Sequence, residues 1–237
     1  GSRPGPRRQR NSWSRSADYS TVRLLRRTAA LALAGLVAMT ATSCTSHPSN
    51  ATGVRVIGGE LPGPWLGVPL DPPTAKPAIT LTDTSGAPYD LLSQTAGKIT
   101  LLYFGYTHCP DVCPLLMSNI AAALKQLPGK DADQIAVVFV TVDPARDTAP
   151  VLRAWLDTID PNFVGLTGSI EQIIAAEKAA GVPTASIDAA DPNGYTVLHS
   201  AEVLAFSRDD NAHVMFDASA QTTDFEHDLR LLVKGTT

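Results

Sequence analysis

Cysteine is scarce in this chain: Cys44, Cys109 and Cys113 are the three in 237 residues. With Cys44 standing in what reads as an export segment, one close pair is left. That excludes a disulfide scaffold and requires a hydrophobic core. Charge is sparse too, with 18% Asp, Glu, Lys and Arg against 44% hydrophobic residues. This is the balance of a globular chain and excludes a disordered one. Basic residues thin out early. Eight of the nineteen Lys and Arg are arginines at or before Arg27, where Asp18 is the sole acid. From Cys44 onward eleven basic residues face twenty-two acidic ones, a net charge of −11. Phosphate would repel such a body, so no nucleic-acid partner is expected. No internal repeat is present, and the length suits one domain with added segments.

What the chain does have begins with targeting. Arg23, Arg26 and Arg27 precede an uncharged Ala- and Leu-rich run, Ala29 to Ala41, followed by Ala41-Thr42-Ser43-Cys44. A basic start, an apolar stretch of this length and small residues together read as a secretory signal. The run falls short of the roughly 20 residues a spanning helix needs. Cys44 stands as in a bacterial lipobox, where the cysteine becomes the lipidated new N-terminus, although Ala41 occupies a position where Leu is usual. An ordinary signal, cleaved or retained as an anchor, is the alternative, and Arg26-Arg27 could also serve a twin-arginine signal. The division expected is residues 1–43 as signal region and 44–77 as lipobox cysteine and flexible tether, with a domain over 78–237. Such a protein sits on the extracytoplasmic face of the cell membrane.

Within the domain, strand and helix patterns alternate. Ile99 to Phe104 is a short apolar run, and Ile135 to Val142 is a Val-rich run suited to a central strand covered on both faces. Between them, positions 116, 120, 124 and 127 give a helix that stops at Pro128-Gly129. Asp147 reads as the cap of a helix carrying Val151, Leu152, Trp155, Leu156 and Ile159, with Pro150 tolerable in its first turn. Ser169 and Gln172 form a capping box whose helix ends at Gly181. Strands are expected at 163–166, 195–198, 203–206 and 213–216, with a last helix over 225–233. The pattern predicts an α/β domain, a mixed sheet flanked by helices.

The sharpest local signal is Phe104-Gly105-Tyr106-Thr107-His108-Cys109-Pro110-Asp111-Val112-Cys113-Pro114. It lies between a buried strand and a helix start, where outward amides and the macrodipole stabilise a thiolate. Two facing sulfurs can close a disulfide, hold a soft metal, or do each in turn; sulfur favours Cu(I) and zinc, and imidazole also suits Cu(II). Plain packing of two buried cysteines is the bland alternative. Met117 on the helix face reads as core, His108 as a neighbour that could tune Cys109, and His47, His213 and His227 as surface residues.

The run Tyr103 to Pro114, then Val138 to Asp147 and Gly165-Leu166-Thr167-Gly168, resembles the SCO/SenC proteins over roughly residues 78 to 234. The resemblance implies a thioredoxin-like fold and a copper-binding protein that helps load the binuclear copper centre of cytochrome c oxidase. It also implies a third ligand, a histidine before a late strand, matched here by Leu198-His199-Ser200-Ala201. On this reading Cys109, Cys113 and His199 bind copper, and Cys109 and Cys113 can form a redox disulfide. Asp143 stands where a carboxylate could touch Cu(II) or hydrogen-bond a ligand, though Asp143-Pro144 is also turn chemistry. The partners implied are the copper-bearing subunit of cytochrome c oxidase and another copper chaperone as donor. A thioredoxin-like thiol-disulfide reductase or thiol peroxidase is the competing class. Against it stand the spacing of four and His199 in place of a cis-proline.

Overall fold

The computed structural model describes residues 63–189 and 194–237. The basic segment, the apolar run, Cys44, His47 and the tether up to Pro62 lie outside the described residues. Along the chain the elements are β1 (Val68–Ala75), β2 (Thr80–Asp83), β3 (Pro88–Asp90), α1 (Leu91–Gln94), β4 (Ile99–Gly105), α2 (Val112–Gln126), α3 (Gly129–Ala132) and β5 (Ile135–Thr141). They continue with α4 (Ala149–Asp157), β6 (Val164–Thr167), α5 (Ile170–Ala180), β7 (Ser186–Asp188), β8 (Thr196–Leu198), β9 (Val203–Phe206), β10 (Asn211–Phe216) and α6 (Thr222–Lys234).

Eight strands form one mixed sheet in the order β1-β10-β9-β4-β5-β6-β2-β3. β4, β5 and β6 run parallel, while β9 and β10 return antiparallel beside β4. Every residue of β4 is buried, so both faces of the centre are covered, as a continuous apolar strand requires. This is the thioredoxin-like arrangement of a sheet flanked by helices.

Cross-strand register explains what lies above the sheet near the cysteines. Phe216, Val203, Tyr103, Phe139 and Gly165 are successive partners across β10, β9, β4, β5 and β6. Directly paired residues share a face, so this row is a floor. Phe225 of α6 packs on Phe216 with ring centroids 4.2 Å apart, and Trp155 of α4 packs on Phe139 at 5.0 Å. Gly165 has no room for a side chain, because a Cβ there would lie 2.7 Å from Leu156 and 3.0 Å from Leu152. Thus α2, α4 and α6 ride on the same face, and α2 carries Cys113 onto that floor.

The domain starts earlier than the sequence suggests. Val68–Ala75, inside the stretch read as tether, is a strand paired antiparallel with β10. Its prolines fit an edge strand, where a missing amide costs no ladder bond. Just upstream, the buried Asp228 carboxylate of α6 accepts the Leu66 and Gly67 amides at 3.0 and 2.8 Å. The boundary therefore moves from Ala78 to about Trp65. Elsewhere the reading of elements holds: the Ser169–Gln172 capping box is formed, and Gly181 closes α5 at φ 74°. The strand β7 and the single-turn helices α1 and α3 had no pattern of their own in the sequence.

Candidate metal centre

Cys109 lies in the turn after β4, three residues before α2 begins at Val112. The Cys113 amide, free at the helix start, points back and donates to Cys109 Sγ at 3.4 Å. Cys113 itself is fully buried on the sheet floor. Tyr103 donates its phenol to Cys113 Sγ at 3.4 Å, and a Cβ on Gly105 would stand 2.9 Å from that sulfur. His199 follows β8 and brings Nε2 to 3.4 Å from Cys113 Sγ. Its Nδ1 lies 2.7 Å from the Ser200 carbonyl oxygen. A carbonyl can only accept, so Nδ1 carries a hydrogen, and Nε2 is the nitrogen that faces the sulfurs.

Both cysteines are unpaired thiols, and the two Sγ atoms and the imidazole nitrogen lie within 4.8 Å of one another. Cys109 is lowered to about 3, first by its hydrogen bond with Cys113, against the opposing effect of burial, with His199 adding to the lowering. Burial pushes Cys113 upward, reinforced by the charge-bearing partner sulfur. The pair therefore shares a single negative charge, held on the outer sulfur at the helix N-terminus. Two sulfurs and an imidazole at this spacing fit one soft or borderline metal ion.

The other candidates fall elsewhere. Met117 is fully buried in the core. His108 leaves the site: its Nδ1 meets Thr107 Oγ1 at 3.0 Å and Asp147 Oδ1 at 3.5 Å, and its ring is half exposed. Asp143 is not in the donor cluster. Its Oδ1 accepts the Tyr195 phenol at 2.8 Å, and its Oδ2 pairs with the Arg146 Nε.

Asp147 corrects the reading as a helix cap. Thr148 stands at the start of α4 with no side-chain cap bond. Instead the fully buried Asp147 carboxylate accepts the Thr107 amide (2.8 Å), the Thr107 hydroxyl (2.6 Å) and the Thr141 hydroxyl (2.7 Å). It ties the turn bearing Cys109 to the end of β5. Tyr103, Tyr106, Arg146 and Tyr195 were also missed. Only Tyr103 left a signal, two residues before Gly105 and so on the same face as the buried sulfur.

The SCO1/SenC family model matches residues 69–234. The chain belongs to this family. Protein SenC of Rhodobacter capsulatus is 45% identical over 103 residues, covering 40% of this chain and 46% of that protein. Among solved structures, copper-bound ScoI of Bradyrhizobium japonicum is 33% identical with a TM-score of 0.58, over 66% of this chain and 98% of that one. Apo Sco1 from Thermus thermophilus is 32% identical with a TM-score of 0.63, over 71% and 96%. The chain spans about half the length of the curated relatives it matches.

Proposed function

We propose that the protein is an extracytoplasmic copper carrier. Cys109, Cys113 and His199 hold one copper ion, received from another copper chaperone and passed to the copper-bearing subunit of cytochrome c oxidase. One observation carries this reading: three donors from two distant segments converge within 4.8 Å. Sulfur suits Cu(I), and the imidazole extends the site to Cu(II). Closed zinc sites use four protein ligands, whereas three leave a position for an incoming group. The copper-bound relative supports the choice of metal. The metal is cargo, so the protein carries it without turning over a substrate.

A second reading, dithiol reductase, is favoured by the depressed Cys109 thiol. One comparison separates the two in cells lacking the native protein, reading oxidase activity at low and high copper. The copper reading expects Cys113→Ser and His199→Ala both to fail at low copper and to recover partly when copper is plentiful. A reductase needs both sulfurs but no imidazole. Full oxidase activity from His199→Ala at low copper, with Cys113→Ser inactive, would move the function to thiol chemistry.

Lipid on Cys44 is the anchor on this reading. The basic, apolar, small-residue approach to Cys44 supports acylation. The native membrane-bound protein should show acyl mass by intact-mass measurement, lost with Cys44→Ala. An unmodified mass would leave a retained signal as the anchor.

A further inference from the structure

His199 and the cysteines follow strands of different sheets, β8 and β4. β8, which leads into His199, pairs only with β7 in a two-stranded sheet outside the eight-stranded one. Such a hairpin is marginal by itself in water. A cleft of about 340 Å³ opens beside it, lined by Ile174 on one side, Ile187 and Val197 on the hairpin, and Asp143 and Pro144 just past β5. After His199 the chain enters β9 of the main sheet at Val203, so the ladder with β4 anchors the histidine from its C-terminal side, while the segment before it has no main-sheet ladder.

Side chains bridge the gap, and they converge on Tyr195, four residues before His199. Its phenol donates to Asp143 Oδ1 at 2.8 Å, and its carbonyl accepts Arg146 Nη1 at 3.0 Å. Its ring lies under the Arg146 guanidinium at 3.8 Å. Asp143 grips the same guanidinium through Nε. Arg146 also lies 5.7 Å from the Tyr106 ring, whose edge packs on the His199 imidazole at 5.4 Å and whose hydroxyl accepts the Val197 amide at 3.5 Å. On the other leg, the Ala185 amide donates to the buried Glu177 carboxylate.

We infer that Asp143 and Arg146 are positioning residues for His199, a latch on Tyr195 and Tyr106 that holds the hairpin where its imidazole meets the sulfurs. A planar fork gripping a carboxylate, a carbonyl and two rings at once is a geometry lysine cannot reproduce. Both residues act at a distance from the metal donors and touch neither sulfur. The latch would set the histidine's contribution to metal binding while leaving the two-sulfur contribution alone. The copper readout below rests on the proposed metal function; the amide readout does not.

The test uses the full chain with Arg146→Gln, with Tyr195→Phe as the gentler variant, and with His199→Ala for comparison. In metal-free protein, hydrogen exchange of the Val197 amide should speed about tenfold in Arg146→Gln and less in Tyr195→Phe. Leu102 in β4 should keep its protection, and His199→Ala should leave Val197 unchanged. With added Cu(II), the Arg146→Gln spectrum should move to that of His199→Ala, while Cu(I) binding stays at the wild-type level. Where His199→Ala differs from wild type, both readouts must move together. Wild-type Val197 protection or a wild-type Cu(II) spectrum in Arg146→Gln overturns the latch. If Arg146→Gln does not fold, Tyr195→Phe decides by the same two readouts. If His199→Ala and wild type share one Cu(II) spectrum, the metal reading fails and Val197 exchange alone judges the latch.

Discussion

Cys113→Ser is expected to lower Cu(I) affinity by well over a hundredfold in a titration of the reduced protein. Loss of a partner that only orients a ligand already costs roughly 10–100-fold in metal affinity, and on the proposed function this change removes a ligand itself. Serine is also the wrong chemistry, a hard oxygen that keeps its proton where a soft thiolate is required. Cys109→Ser should fall as far. The pH dependence of the wild type follows from the shared charge. Cys109 is lowered to about 3 and Cys113 is raised, so metal-free protein near pH 8 keeps one proton on the pair, on Cys113. A bound metal requires both sulfurs deprotonated. Uptake of Cu(I) should then release one proton, and affinity should rise about tenfold per pH unit while Cys113 remains protonated. A slope of two would mean that both thiols are protonated in the free protein, contrary to the geometry around Cys109.

Asp147→Ala should destabilise the fold by at least about 3 kcal/mol, read as a fall in the denaturant midpoint. The carboxylate is fully buried and accepts three hydrogen bonds. Without it the Thr107 amide and two hydroxyls lose their acceptor, at about 1–3 kcal/mol for each group left unsatisfied. The turn that carries Cys109 begins at Thr107, so Cu(I) affinity should drop as well in the fraction that still folds. A helix cap would behave differently: its loss costs about 1 kcal/mol and leaves a distant metal site alone. A loss near 1 kcal/mol with unchanged copper binding would restore the capping role and remove the tie to Cys109.

The central sheet was legible because its strands are defined by composition over seven or so residues, as in Ile135–Thr141, where nearly every position is buried. The α5 capping box and its Gly181 stop were legible for the same reason, since all their partners lie within one helix. β1 was not. Its prolines imitate a linker, and what makes Val68–Ala75 a strand is its pairing with Asn211 to Met215 far along the chain. The donor residues themselves could be named, two from a strand-helix junction and one only through family resemblance. What supports them could not. Asp147 reaches back forty residues to Thr107, and Asp143 reaches forward fifty-two to Tyr195. Neither pairing has a local period or spacing to betray it, so a strand-end aspartate reads as a turn and a helix-start aspartate as a cap.

The missing side chain at Gly105 gives the centre a direction. Cys113 lies against bare backbone, flanked by the Phe139 ring and the Tyr103 phenol, with no exposure to solvent. Cys109 and the half-buried His199 stand between it and water. On the proposed function, an arriving group meets those two donors before Cys113, which gives exchange of a bound ion an order. The outer sulfur and the imidazole would yield to a competitor first, and the inner sulfur last.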